Sequence, residues 1–208
     1  MDRVRIKICG LMRPEDIETV NEVCPDYAGF ILAQGRRRTV SPARMRELTM
    51  RLRPEVQRTA VFLDQDPKWI AVLAREDLMD VIQLHGRESD EQIRFLQRQT
   101  GRKIIKAYRI ETAADIRTAQ KSAADLVLLD NGDGGTGKSF DWSLLLEMKR
   151  PYILAGGLSP DNVRDAILRT RPYGVDVSSG VESFGYKDAR KIRQFTEAVR
   201  CSAPQADA

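Results

Sequence analysis

Eight short apolar runs, at residues 4–9, 27–32, 59–63, 81–84, 103–107, 126–129, 152–154 and 174–177, each lead into a stretch with helical character, and that repeat constrains the fold more than any other feature of the chain. Strands that read as continuous apolar runs, without strict alternation, are buried on both faces, which implies parallel pairing with crossover helices. Most of the intervening stretches carry helix-start signals: Pro14 with Glu15 and Asp16, Ser41 before Pro42, Asp66 before Pro67, Ser89 with Gln92, Thr112 with Asp115, and Ser159 before Pro160. These are N-cap, capping-box and first-turn residues. Ile70, Val72, Leu73 and Leu78, and then Ile93, Phe95 and Leu96, recur at spacings expected to give a helix one buried face. The repeat predicts an α/β fold, a single-domain (βα)8 TIM barrel over residues 1–201, with 202–208 a small, polar and disordered tail. The competing doubly wound sheet needs a glycine-rich first turn, and here that turn reads Cys9-Gly10-Leu11-Met12.

With 208 residues, 42% hydrophobic and 31% charged, the chain is long enough for one substantial core and too short for two comfortable domains. The first ten residues alternate charge with apolar side chains, so neither a secretion signal nor a membrane span is expected, and the location read from the sequence is cytoplasmic. Three cysteines at wide, unequal spacings (Cys9, Cys24, Cys201) make neither a disulfide framework nor a metal cluster. A net charge of +4 could suggest nucleic acid, but basic and acidic residues are interleaved and aromatics are few. The dense exception, Arg36, Arg37 and Arg38, reads as a solvated turn, a phosphate patch or a clamp for an anionic small molecule, and its position after an apolar strand favours the last.

The chemistry-bearing residues sit where strands meet loops, the end of a barrel that holds active sites. Cys9 closes the first strand and can serve as a base if its pKa is lowered, with Lys7 on the same side of the strand; the alternative is a small buried residue. Asp130 ends the sixth strand and is either a general acid or a turn cap. Ala155-Gly156-Gly157-Leu158-Ser159 and Val177-Ser178-Ser179-Gly180-Val181-Glu182 follow strands seven and eight, where barrels hold phosphate on backbone amides and a short helix N-terminus. His85, the only histidine, is expected to line the pocket or to serve structure, because strands one and four lie nearly opposite and a thiol–imidazole bond between them is doubtful.

Residues 132–139 also match GxxxxGKS letter for letter. A nucleotide-binding reading is disfavoured: Asp130 and Asn131 precede the first glycine, the match falls late in the chain, and no magnesium-binding strand follows it.

Taken in order, KICG, GFIL, RRRTVSP, VFLD, VIQLHG, LLDNGDGGTGKSFDW, ILAGGLSPDNV and GVDVSSGVE resemble the phosphoribosylanthranilate isomerase family over nearly the whole chain. The resemblance implies a cofactor-free, metal-free βα barrel that carries out an Amadori rearrangement in tryptophan biosynthesis, with Asp130 as general acid and Cys9 as general base. It also implies that Arg38 pairs with the anthranilate carboxylate, that Gly156, Gly157, Ser178, Ser179 and Gly180 cradle the phosphate, and that Lys7, His85, Gly135 and Asp176 belong to the substrate site. The glycine-rich residues 132–137 would then form a mobile sixth loop over the substrate. The arginine loop departs from the family's commoner pattern at Arg36 and Arg37, which leaves open which arginine meets the carboxylate. The expected partner is a phosphorylated small molecule, with no nucleic acid and no membrane, and the expected assembly a monomer or homodimer. The nearest rivals are the histidine-pathway sugar isomerase, which generally uses two aspartates, and a non-catalytic phosphate-binding barrel.

Overall fold

The computed structural model describes residues 3–130 and 142–202. Its strands are β1 (Arg5–Cys9), β2 (Tyr27–Ile31), β3 (Gln57–Phe62), β4 (Val81–Leu84), β5 (Lys103–Arg109), β6 (Leu126–Asp130), β7 (Tyr152–Leu154) and β8 (Gly174–Val177). They pair in parallel in sequence order, and β8 returns to β1 to close the barrel. All eight coincide with the apolar runs. Helices α1 (Pro14–Val23), α2 (Pro42–Thr49), α3 (Pro67–Arg75), α4 (Asp90–Thr100), α5 (Ala113–Gln120), α6 (Val163–Thr170) and α7 (Ala189–Arg200) surround it, with a 3₁₀ turn, Trp142–Glu147, in the sixth place. A short hairpin of β9 (Glu182–Ser183) and β10 (Tyr186–Lys187) precedes α7. Among the described residues no helix is long and apolar enough to cross a membrane.

The local signals act through specific bonds. Ser41 Oγ accepts from the Arg44 amide and Asp66 from the Lys68 amide, while Ser89 and Gln92 form a reciprocal capping box that starts α4. Asp115 accepts from the Glu111 and Thr112 amides to start α5. The Ser159-Pro160 expectation is corrected: α6 begins at Val163, because Asn162 bridges the Ser159 amide and the Gly157 carbonyl and holds 159–162 as a turn. In α3 the buried face is Ile70, Ala71, Leu73 and Ala74. Val72, expected in that face, is exposed, since two residues on is about 200° round a helix, and Leu78 is buried but lies beyond the helix end. Ser202, assigned from sequence to the tail, is buried and donates to the Val199 carbonyl; residues 203–208 lie outside the described residues.

Side chains alternate between the two faces of each strand. Ile6, Ile8, Phe30, Phe62, Leu129 and Val175 point outward and join helix residues in one large apolar layer. The inward set, Tyr27, Val81, Ile105, Ala107, Leu128 and Ile153 among them, forms a second, smaller core inside the barrel. Below it, Asp26 accepts from Arg3 (2.8 Å), Arg5 (2.7 Å) and the Ile6 amide (2.9 Å), fastening the start of β1 to β2 at the face opposite the loops that follow the strands. Replacing Asp26 with Ala leaves a buried amide without its acceptor and should cost about 1–3 kcal/mol in urea unfolding; an unchanged unfolding midpoint would show that this carboxylate does not hold β1 to β2.

Candidate active site

At the C-terminal ends of the strands lies a cavity of about 620 Å³, a size typical of small-molecule sites. Its wall follows from the alternation inside the barrel. Positions that face inward at the strand tops are Cys9 on β1, Gln83 and His85 at β4, Asp130 on β6, and Asp176 with Ser178 at β8, and all of them line it. Arg36, Arg37 and Arg38 enter from the loop after β2, and Gly156, Gly157, Ser179 and Gly180 from the loops after β7 and β8. Lys7 is fully buried and reaches the site through Asp176, to which its Nζ donates at 2.9 Å. Gly135 and the Walker-like segment 132–139 lie outside the described residues.

Burial pushes the Cys9 thiol above its ordinary value, and the neighbouring Lys7 ammonium pulls the other way without overcoming it. The lowered thiol pKa that would favour a base is therefore not the property of the ligand-free protein. Burial also works against the Lys7 charge, but Asp176 and Cys9 outweigh it and raise its pKa, so Lys7 is a fixed ammonium beneath the thiol. His85 is pulled below its ordinary value, chiefly by burial and against the opposing carboxylate of Asp130, which keeps the ring neutral at pH 7. The Gln83 amide nitrogen lies 3.2 Å from His85 Nδ1. The direction of that contact follows the ring tautomer, and Nε2 lies 3.9 Å from Asp130 Oδ2. The histidine thus lines the pocket, on the wall away from the thiol's strand.

Two glycines make room at the first strand. A Cβ on Gly29 would sit 2.9 Å from both Cα and Sγ of Cys9, and one on Gly10, whose φ is +84°, would sit 2.5 Å from Cδ of Arg38. Gly156 and Gly157 have φ of +86° and +64°, and a Cβ on Gly180 would fall 1.8 Å from the Leu158 carbonyl oxygen. The loops after β7 and β8 therefore touch backbone to backbone, an arrangement that favours anion binding by main-chain N–H groups. Among the described residues no cluster of three or more His, Cys, Asp or Glu could hold a metal ion.

Sequence reasoning missed Gln83, Gly29, Glu182 and Lys187. Gln83 was legible in principle, two residues before His85 on one strand and so on the same face. Glu182 closes a motif already singled out, but its contact with Arg38 joins residues 144 apart in the chain.

Comparison with known proteins fits this geometry. Residues 6–198 match the family model for N-(5'-phosphoribosyl)anthranilate (PRA) isomerase. The N-(5'-phosphoribosyl)anthranilate isomerase of Caldanaerobacter subterraneus subsp. tengcongensis is 40% identical over 203 residues, covering 95% of this chain and 98% of that protein. The solved phosphoribosyl anthranilate isomerase of Thermotoga maritima is 37% identical with a TM-score of 0.88, over 95% of this chain and 99% of its own. A further structure of the same enzyme type, in complex with reduced 1-(o-carboxyphenylamino)-1-deoxyribulose 5-phosphate, is 36% identical with a TM-score of 0.85, covering 95% and 99% of the two chains. With a closed eight-stranded barrel and a match over nearly its full length, the chain belongs to the N-(5'-phosphoribosyl)anthranilate isomerase family and is an isomerase of the intramolecular oxidoreductase class.

Proposed function

We propose that the chain converts N-(5-phosphoribosyl)anthranilate to 1-(2-carboxyphenylamino)-1-deoxyribulose 5-phosphate in tryptophan biosynthesis, with Asp130 as general acid and Cys9 as general base. The observation that carries this reading is the placement of a carboxyl group, a thiol, glycine-bounded loops and an arginine on the wall of one cavity. The phosphate is held by Gly156, Gly157, Ser178, Ser179 and Gly180, and the anthranilate carboxylate by Arg38, which is mostly covered and so better fixed than the more exposed Arg37. Lys7, His85 and Asp176 complete the surroundings of the sugar.

Asp130, as general acid, gives a proton to the furanose oxygen. The C1–O bond breaks as the anthranilate nitrogen's lone pair forms the C1=N bond, leaving a cationic Schiff base. Cys9, as thiolate, removes the C2 proton, and the C2–H electrons form C1=C2 while the C=N pair returns to nitrogen. The resulting enolamine tautomerises to the ketone, and no cofactor takes part. Each proton transfer is worth roughly 10²–10⁴ in rate. The thiol is protonated in the free protein, so it must first give that proton to water, an ionisation that nearby positive charge favours. Lys7 and Lys187 supply part of that, and the Schiff base brings a further cation against the same group. Acid before base is thus the order that the electrostatics favour.

Turnover of freshly generated phosphoribosylanthranilate, followed by loss of its fluorescence, checks the assignment. Asp130→Asn and Cys9→Ser should each lower kcat by about 10²-fold or more while KM moves little. A variant with intact kcat and raised KM would make that residue a binding group instead. Near Cys9, Lys7→Met removes a cation that lowers the thiol pKa and leaves Asp176, which raises it. Iodoacetamide alkylation of Cys9 at fixed pH should therefore slow, and the rising limb of kcat/KM should move to higher pH. An unmoved limb would show that Lys7 has no part in ionising the thiol.

A further inference from the structure

Arg38 does not reach the cavity unaided. Its Nε and Nη2 donate to Glu182 at 2.5 and 3.0 Å, and the same carboxylate accepts from Arg37 Nη2 and from Lys187 Nζ at 2.8 Å. Glu182 and Lys187 are both buried, on paired positions of the β9–β10 hairpin. Burial pushes the Glu182 carboxyl up, but Arg38 and Lys187 outweigh it and hold it below the ordinary range, so it stays ionised at neutral pH. Three cations around one anion leave this corner net positive, ready for a second carboxylate.

The geometry of the guanidinium decides where that carboxylate goes. A planar guanidinium has two edges that can each pair bidentately with a carboxylate. Glu182 takes the Nε/Nη2 edge, and among the described residues none accepts from Nη1, so the remaining edge is presented as a rigid fork. The stem is pinned as well, since Cδ lies where a Cβ on Gly10 would be. The other arm of the cluster runs to the end of β8 and to β1: Lys187 Nζ donates to the Ser178 carbonyl at 2.8 Å, and Ser178 Oγ to the Cys9 carbonyl at 2.9 Å. One buried carboxylate thereby sets the arginine loop in register with the end of β8 and with the thiol's strand.

We propose that Glu182 is the positioning residue that orients Arg38 and so sets the preference for an aryl amine bearing an ortho carboxylate. The inference rests on the substrate reading above, through Arg38. Its test compares the dissociation constants of reduced 1-(o-carboxyphenylamino)-1-deoxyribulose 5-phosphate and of the same compound without the carboxylate, by calorimetry. The proteins are the wild type, Arg38→Ala, Glu182→Gln, and Glu182→Gln with Lys187→Met, in which no buried ammonium is left without its counter-charge.

The wild type should prefer the carboxylated ligand by about tenfold or more, as expected for a charge-assisted bidentate pair, and Arg38→Ala should erase that preference. Both Glu182 variants should lose most of it by weakening the carboxylated ligand about tenfold, while the other ligand binds within about twofold of wild type. The double variant gives this answer even where the single one folds poorly. Equal weakening of both ligands would make Glu182 a purely structural residue, and tighter binding of the carboxylated ligand would make it a competitor for Arg38; either overturns the inference. A wild type without preference overturns the carboxylate clamp itself. A clamp that depends on Arg38 and is indifferent to Glu182 overturns only the positioning role.

Discussion

Closure of eight parallel strands forces every second side chain into a space of fixed width, and the active site is a consequence of how the chain fills it. The lower levels take apolar bulk, with Tyr27, Val81, Ile105, Leu128 and Ile153. The upper level cannot be filled in the same way and still leave room for a ligand, so the inward positions there turn polar or small: Gly29, Gln83, Asp130, Ala155, Asp176 and Ser178. Because the alternation is rigid, a thiol at Cys9 and an ammonium at Lys7 fall on the same face one level apart. A shift of β1 by one residue would send both into the apolar layer with the helices and bring Ile6 and Ile8 inside.

That packing makes the interior a place where charge is expensive, and the chain answers with pairs. Lys7 is fully buried and retains its proton because Asp176 stands 2.9 Å away. Lys187 pairs with Glu182 at the edge of the pocket, where burial lowers the lysine's pKa and the carboxylate opposes that shift. Such pairs are poor sources of stability, since desolvation consumes most of the Coulombic gain. Their effect here is positional: each fixes a cation within reach of Cys9, while the large apolar layer between strands and helices carries the stability. Lys106 and Glu88 form a third buried pair, 3.3 Å apart at the tops of β4 and β5, which holds loops and not ligand.

Much of this was legible in the sequence for physical reasons that can be named. Each strand was visible because a strand buried on both faces has no solvent side to alternate with. Five of the helix starts were visible because a cap is a local bond between residues two to four apart. The start of α6 was not, because Asn162 reaches back to the Gly157 carbonyl and the Ser159 amide and so delays the helix. Val72 was misplaced because apolar composition was read without its angle around the helix. The nucleotide-loop match shows the limit of pattern alone, since the letters recur where the barrel offers a different context. Among site residues, those at strand ends could be read from alternation. Glu182 could not, because its role depends on two segments far apart in sequence meeting at one carboxylate.

On the proposed mechanism, the raised pKa of Cys9 is better understood as timing than as a defect. A thiol held permanently as thiolate in an open pocket would be nucleophilic toward the ring-closed sugar and toward oxidants. Burial keeps the proton on sulfur while Asp130 opens the ring, a step that needs an acid and no base. Only afterwards does the ligand itself carry positive charge next to the sulfur, and only then is there a C2 proton acidic enough to remove. The same low-polarity setting that disfavours the thiolate in the free enzyme also strengthens its attraction to the cationic Schiff base, since opposite charges attract more strongly where water is excluded. The cation formed in the acid's step thus favours loss of the thiol proton to water, which orders the two proton transfers.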